Sequence, residues 1–224
     1  MVLRVLHGGW PPKLRGNFWV AGFPRSGNTF AGILLAETGE FGRVDYHFHM
    51  VGQIDALNQS GIPGIMVVRR PDDAAVSWAI HNDWKLERAL EDYIDFHEFL
   101  LPEIGSLNVA CFDWFTKHPQ ELIRAVATFL GSEINDFVFS EELLERVNTK
   151  IENIWRNPLG IVNERQVARP SHARIEKKKI LLKELRSSPY LKGLLAEATE
   201  IYGHFLSSSK DFSVTTRGQE KVSV

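Results

Sequence analysis

The sequence predicts an α/β fold in three layers, with a central parallel sheet flanked by helices. Three observations lead there. Short apolar runs suit buried strands, helical stretches alternate with them, and a glycine-rich turn joins the first run to the first helix. The chain has 224 residues, enough for one α/β domain and few for two. A single domain over residues 1–206 and a disordered polar tail over 207–224 are expected.

Taken in order, Phe18-Trp19-Val20-Ala21-Gly22 reads as a buried strand running into the turn. Helical character begins at Asn28. Ile65-Met66-Val67-Val68 is a second strand and residues 107–112 a third. Pro71, Asp72 and Asp73 then start a helix, because proline fits its first position and acids its positive end. Residues 119–130 carry Leu122, Ile123, Val126, Phe129 and Leu130 on one face, with Gly131 as the stop. Pro189 opens a last helix striped by Leu191, Leu194, Leu195, Ala198, Ile201 and Tyr202. The chain has no internal repeat.

Composition narrows the function. Hydrophobic residues at 44% and charged residues at 24% fit a globular chain, and a net charge of −2 offers no ground for nucleic-acid binding. The single cysteine, Cys111, excludes an internal disulfide and suits a reducing compartment; within its apolar run it reads as a small core residue. Residues 1–10 hold too short an apolar run for a signal peptide, and no later segment approaches the ~20 apolar residues of a membrane span. A soluble, cytoplasmic protein without a membrane partner is expected.

The strongest motif is Gly22-Phe-Pro-Arg-Ser-Gly-Asn-Thr29, between strand and helix. There, backbone N–H groups and the helix dipole converge on an anion. Its spacing is that of a Walker A loop, but Asn28 stands at the lysine position and the cation is Arg25. The loop therefore suits an anion without a γ-phosphate and without a metal. The second motif is Arg69-Arg70-Pro71-Asp72-Asp73-Ala74-Ala75-Val76-Ser77. It offers an arginine fork at a strand end, with a hydroxyl two helical turns on.

Pro24-Arg25-Ser26-Gly27-Asn28-Thr29-Phe30 resembles the 5′-phosphosulfate loop of the sulfotransferases that use 3′-phosphoadenosine 5′-phosphosulfate. Arg69 to Ser77 is similar to that family's 3′-phosphate motif, and residues 108–131 to its following strand, turn and helix. The resemblance covers about residues 18–131 and implies a P-loop-like fold. It places Arg25 at the bridging oxygen and sulfuryl group, and Ser26, Gly27, Asn28 and Thr29 around the 5′-phosphate. Phe30 then lies near the adenine, and Arg69 and Ser77 at the 3′-phosphate. The product nucleotide is adenosine 3′,5′-bisphosphate. Arginine at position 25 keeps charge stabilisation but departs from the family's lysine, a proton donor. The family's C-terminal basic loop has no counterpart; Arg165, Arg169 and Arg174 are candidates to replace it. Lys177, Lys178 and Lys179 read as a solvated helix face.

The attacking group must lose a proton, for which histidine is suited near neutral pH. His47 and His49 stand between the two motifs, and in an extended segment they share a face. The family's base lies in the matching interval, which favours His49, with His47 the alternative and His81 the next candidate. The acceptor is expected to be a small molecule or carbohydrate with a hydroxyl or amine. Residues 82–104 and 153–174 are expected to select it. Trp78, Trp84, Tyr93, Phe96, Trp114 and Trp155 are candidate pocket residues or core. Two other functions compete: a P-loop nucleotide kinase or NTPase, and a non-catalytic nucleotide-binding protein.

Overall fold

The computed structural model describes residues 15–132, 134, 137–162, 172–208 and 210–211. Strands β1 (Phe18–Ala21), β2 (Val44–Phe48), β3 (Gly64–Val68) and β4 (Asn108–Cys111) form a parallel sheet, with a two-residue β5 (Lys210–Asp211) beside β4. The strand order is β2-β1-β3-β4-β5.

Helix α1 (Asn28–Glu37) follows β1, and α2 (Val51–Gln59) joins β2 to β3. Helices α3 (Pro71–Asn82) and α4 (Leu86–Leu100), with a 3₁₀ turn, lead to β4. After it come the short α5 (Phe112–Phe115), α6 (Pro119–Phe129), α7 (Glu141–Ile154), α8 (His172–Ser187) and α9 (Pro189–Ser208). Both sheet faces are covered, which explains why the strands read as unbroken apolar runs. Trp19, Ala21, Met66, Val68 and Val109 pack against α2, α3, α4 and α9. The alternate residues Phe18, Val20, Ile65, Val67 and Ala110 pack against α1, α6 and α7. The two layers thus divide the strands residue by residue, as a pleat requires.

Several helix ends follow local rules. Pro71 and Pro119 open α3 and α6, and Ser140 caps α7 by accepting from the Leu143 N–H at 3.2 Å. Gly131, at φ 70°, stops the chain after α6 as expected.

Other expectations shift. The third strand ends at Cys111, and Phe112 begins α5. Cys111 is half-buried at the strand end, with Sγ 3.3 Å from the Tyr202 hydroxyl. The last helix runs to Ser208 and is followed by β5, so ordered structure passes the expected boundary at 207; residues 212–224 lie outside the described residues. Among the described residues no helix is long and apolar enough to cross a membrane.

Candidate anion site and its cavity

Strand order reverses between β1 and β3: β1 leads outward to β2, and β3 leads the other way to β4. In open parallel sheets the carboxyl edge at such a point leaves a crevice. Both motifs emerge there, the loop 22–27 after β1 and Arg69 after β3. The crevice deepens into a cavity of about 570 Å³, within the range of small-molecule sites.

The loop turns through left-handed backbone at Arg25 (φ 68°) and Gly27 (φ 100°). A Cβ on Gly27 would stand 2.5 Å from the Phe112 ring, so only glycine fits. Arginine at positive φ is strained, and the strain is held by Arg69, whose Nη1 donates to the Arg25 carbonyl at 2.9 Å. Arg69 in turn lies 4.1 Å over the Phe112 ring and 3.7 Å from the Asp73 carboxylate. The Tyr93 hydroxyl donates to the Arg69 carbonyl at 2.8 Å. The two motifs are therefore braced against each other through the Arg25 carbonyl, and α4 braces the second motif through Tyr93.

Ser77 is the junction of the cations. Its Oγ accepts from Arg25 Nε at 3.3 Å and from Arg174 Nη2, on α8, at 2.8 Å. Burial, then Arg174, then Arg69, push the Arg25 pKa down to about 9, still protonated near neutrality. Burial also lowers that of Arg69, against the pull of Asp73. Three guanidinium groups crowded in this way would suit an anion. Arg165 and Arg169 lie outside the described residues; Arg174 reaches Ser77, and both stand behind Arg25 rather than among the residues that line the cavity.

Not every loop residue faces the cavity. Arg25, Gly27, Asn28, Thr29 and Phe30 line it, whereas the Ser26 side chain is fully buried behind the loop, its Oγ without a partner among the described residues. Asn28, at the lysine position, is buried. Its Nδ2 donates to the carbonyls of Gly22 at 2.9 Å and Phe23 at 3.4 Å. It acts as a brace for the loop rather than a charge on a ligand.

No protein-family model, curated protein or solved structure matches the chain. The chemistry of the site rests on its geometry.

His49 Nδ1 lies 3.0 Å from the Gly22 carbonyl and 3.0 Å from Asn28 Nδ2. Both Asn28 protons already have carbonyl acceptors, so the ring is satisfied by an Nδ1–H that donates to Gly22. Nε2 is then left as the basic nitrogen. Burial holds its pKa down to about 4; the Gly22 bond opposes this, and His47 and Arg25 add to it. His49 is accordingly neutral at pH 7.

His47 also lines the cavity, its ring 6.0 Å from that of His49, but not by simple alternation. The register slips by one residue between Trp19↔Asp45 and Ala21↔Phe48, and His47 takes φ 78° in the bulge. The extended geometry expected for residues 45–50 is thus interrupted at His47. That residue is exposed at the rim, while His49 reaches the loop.

Residues with no motif complete the wall. Asn148 and Trp155 come from α7 and the turn after it; Trp78 and His81 come from α3; Phe112 and Thr116 follow β4. Of the six aromatic candidates, Trp78 and Trp155 line the cavity. Tyr93 and Phe96 are core, Trp84 packs edge-on to Trp78, and Trp114 supports the opposite layer.

Proposed function

We propose that the chain is a sulfotransferase that moves a sulfuryl group from 3′-phosphoadenosine 5′-phosphosulfate to an acceptor. The observation that carries this reading is the meeting of Arg25, Arg69 and Ser77, from two strand-to-helix turns, with His49 against the same loop. Arg69 Nε is a buried donor with no partner among the described residues, and the crowded guanidinium groups favour a polyanion. Arg69, Ser77 and Arg174 would hold the 3′-phosphate. Arg25, Thr29 and the N–H groups at the start of α1 would hold the phosphosulfate.

In the transfer, an acceptor oxygen lone pair forms the new O–S bond as the bond from sulfur to the bridging oxygen breaks. The electron pair leaves on the 5′-phosphate, where Arg25 stabilises it, and the acceptor proton passes to His49 Nε2. No metal enters this scheme, since guanidinium groups and N–H dipoles carry the counter-charge. The kinase or NTPase reading is weakened by Asn28, whose amide is engaged with loop carbonyls where a lysine would reach phosphate.

The test compares two nucleotides by thermal shift, followed by transfer from labelled donor with magnesium omitted. Adenosine 3′,5′-bisphosphate is expected to stabilise the protein in proportion to its concentration. Adenosine 5′-phosphate, lacking the group for Arg69 and Ser77, is expected to stabilise it far less. Equal shifts would refute the 3′-phosphate assignment, and a response only to ATP with magnesium would favour the kinase. Binding with no transfer to any acceptor would favour the non-catalytic alternative.

A further inference from the structure

Besides the arginines, the cavity has an aromatic wall that anion binding does not explain. Trp78 and His81, one turn apart on α3, stack with centroids 5.5 Å apart and planes 13° from parallel. Trp155 approaches from the other layer of the fold and meets His81 edge-on at 5.7 Å. The two helical layers thus close over the sheet edge through aromatic rings.

We propose that this wall selects the acceptor: an uncharged aryl alcohol, its ring against Trp78, His81 and Trp155 and its hydroxyl toward His49. The proposal rests on the sulfotransferase reading and names the substrate class of the same site.

Three features favour that class. Flat apolar rings offer stacking and edge contacts to another ring. Besides the anion loop, the arginines and the histidines, the cavity's polar side chains among the described residues are Thr116, Asn148 and the indoles of Trp155 and of Trp78, whose N–H is taken by Asp92. These are too few for the hydroxyls of a sugar. Among the described residues no carboxylate lines the cavity, so an ammonium group would meet arginines and find no counter-charge. The Trp155 Nε1–H is buried with no partner among the described residues, so it is the ring rather than the N–H that Trp155 offers to the cavity. The low basicity of His49 points the same way, because a weak base is better matched to an acidic hydroxyl than to an alkanol.

The test measures binding to the full chain saturated with adenosine 3′,5′-bisphosphate, by ligand-observed NMR. The probes are 4-ethylphenol, trans-4-ethylcyclohexanol, 4-(2-aminoethyl)phenol and methyl β-glucoside. 4-Ethylphenol is expected to bind at least about tenfold tighter than the other three. Trp155→Ala should weaken 4-ethylphenol by about tenfold and Trp155→Phe by much less. Both variants should keep nucleotide affinity within about twofold, which a folding defect would not. Comparable or tighter binding of the cyclohexanol, the amine or the glucoside overturns the proposal. So does nucleotide binding with no detectable 4-ethylphenol. If 4-ethylphenol binds in the absence of any nucleotide response, the sulfotransferase reading fails while the aryl site stands.

Discussion

Arg25 combines a strained backbone with a charge that two other arginines oppose, and in the proposed function that charge faces the phosphosulfate. Arg25→Lys is expected to keep turnover within about tenfold, because a cation remains and gains a donatable proton. Arg25→Ala should lower turnover more than it lowers affinity for adenosine 3′,5′-bisphosphate; normal turnover in that variant would remove the loop from sulfuryl handling. At His49 the expected loss on substitution by alanine is about 10²–10⁴-fold in turnover, with nucleotide binding kept. His47→Ala should cost much less. Because burial holds the His49 pKa near 4, the acid limb of kcat/KM is expected well below the ordinary histidine range, activity falling as pH drops and the ring takes its proton. A limb near pH 6.5 would point to a solvated base instead. Arg25, Arg69 and Ser77 were legible in the sequence because each stands at fixed spacing from a strand-to-helix turn. Asn148 and Trp155 were not, because they reach the cavity only once α7 is layered over the sheet. Nor could spacing reveal that Asn28 turns inward to the loop carbonyls.

Among the elements, α8 departs furthest from its sequence reading. Lys178, half-buried, bonds Asp73 at 2.5 Å and holds α8 against α3, while the exposed Lys177 reaches the exposed Asp83, just past the end of α3, at 2.8 Å. Lys179, paired with Glu176 at 2.7 Å, and Lys177 are both exposed, as expected of a solvated face, and Lys178 is the exception. Charge runs resemble solvated faces in one dimension, and only the packing of α3 supplies the acids. The same helix delivers Arg174, so Lys178→Ala is expected to weaken adenosine 3′,5′-bisphosphate by about threefold to tenfold without touching the ligand. Unchanged affinity, measured by calorimetry at low salt, would uncouple the strap from the site. Helices α4 and α7 have sequence signals of their own: Leu86, Leu90, Tyr93 and His97 recur at helical spacing, and Ser140 precedes a run with buried Leu143, Val147 and Ile151. The bulge in β2 had no such signal, since neither glycine nor proline marks it.

The parallel sheet with covered faces was legible from the alternation of apolar runs and helices, and the carboxyl edge followed from it. What the whole molecule adds is the fully buried His97, ringed by Phe23, Tyr93, Phe96 and Phe205. Burial holds its pKa near 4, partly offset by the Nδ1–H bond to the Tyr93 carbonyl. The folded value lies below the unfolded one, so the unfolded chain takes up the proton first. Stability is full above about pH 6.5 and declines as pH falls toward 4, by up to about 3 kcal/mol for this group. Lowered carboxylates such as Asp73 act in the same direction at lower pH. His97→Phe should flatten the decline in melting temperature between pH 7 and 5; an unchanged slope would assign it to other groups. The arginine cluster also has a kinetic side. The chain as a whole carries a net charge of −2, while its crevice is positive. A polyanion is thus drawn only within about 10 Å of the mouth at ordinary salt, where the local field exceeds the weak repulsion of the rest. Its bimolecular encounter rate, followed by stopped flow, should fall steeply with ionic strength, and in Arg174→Ala that dependence should become shallower.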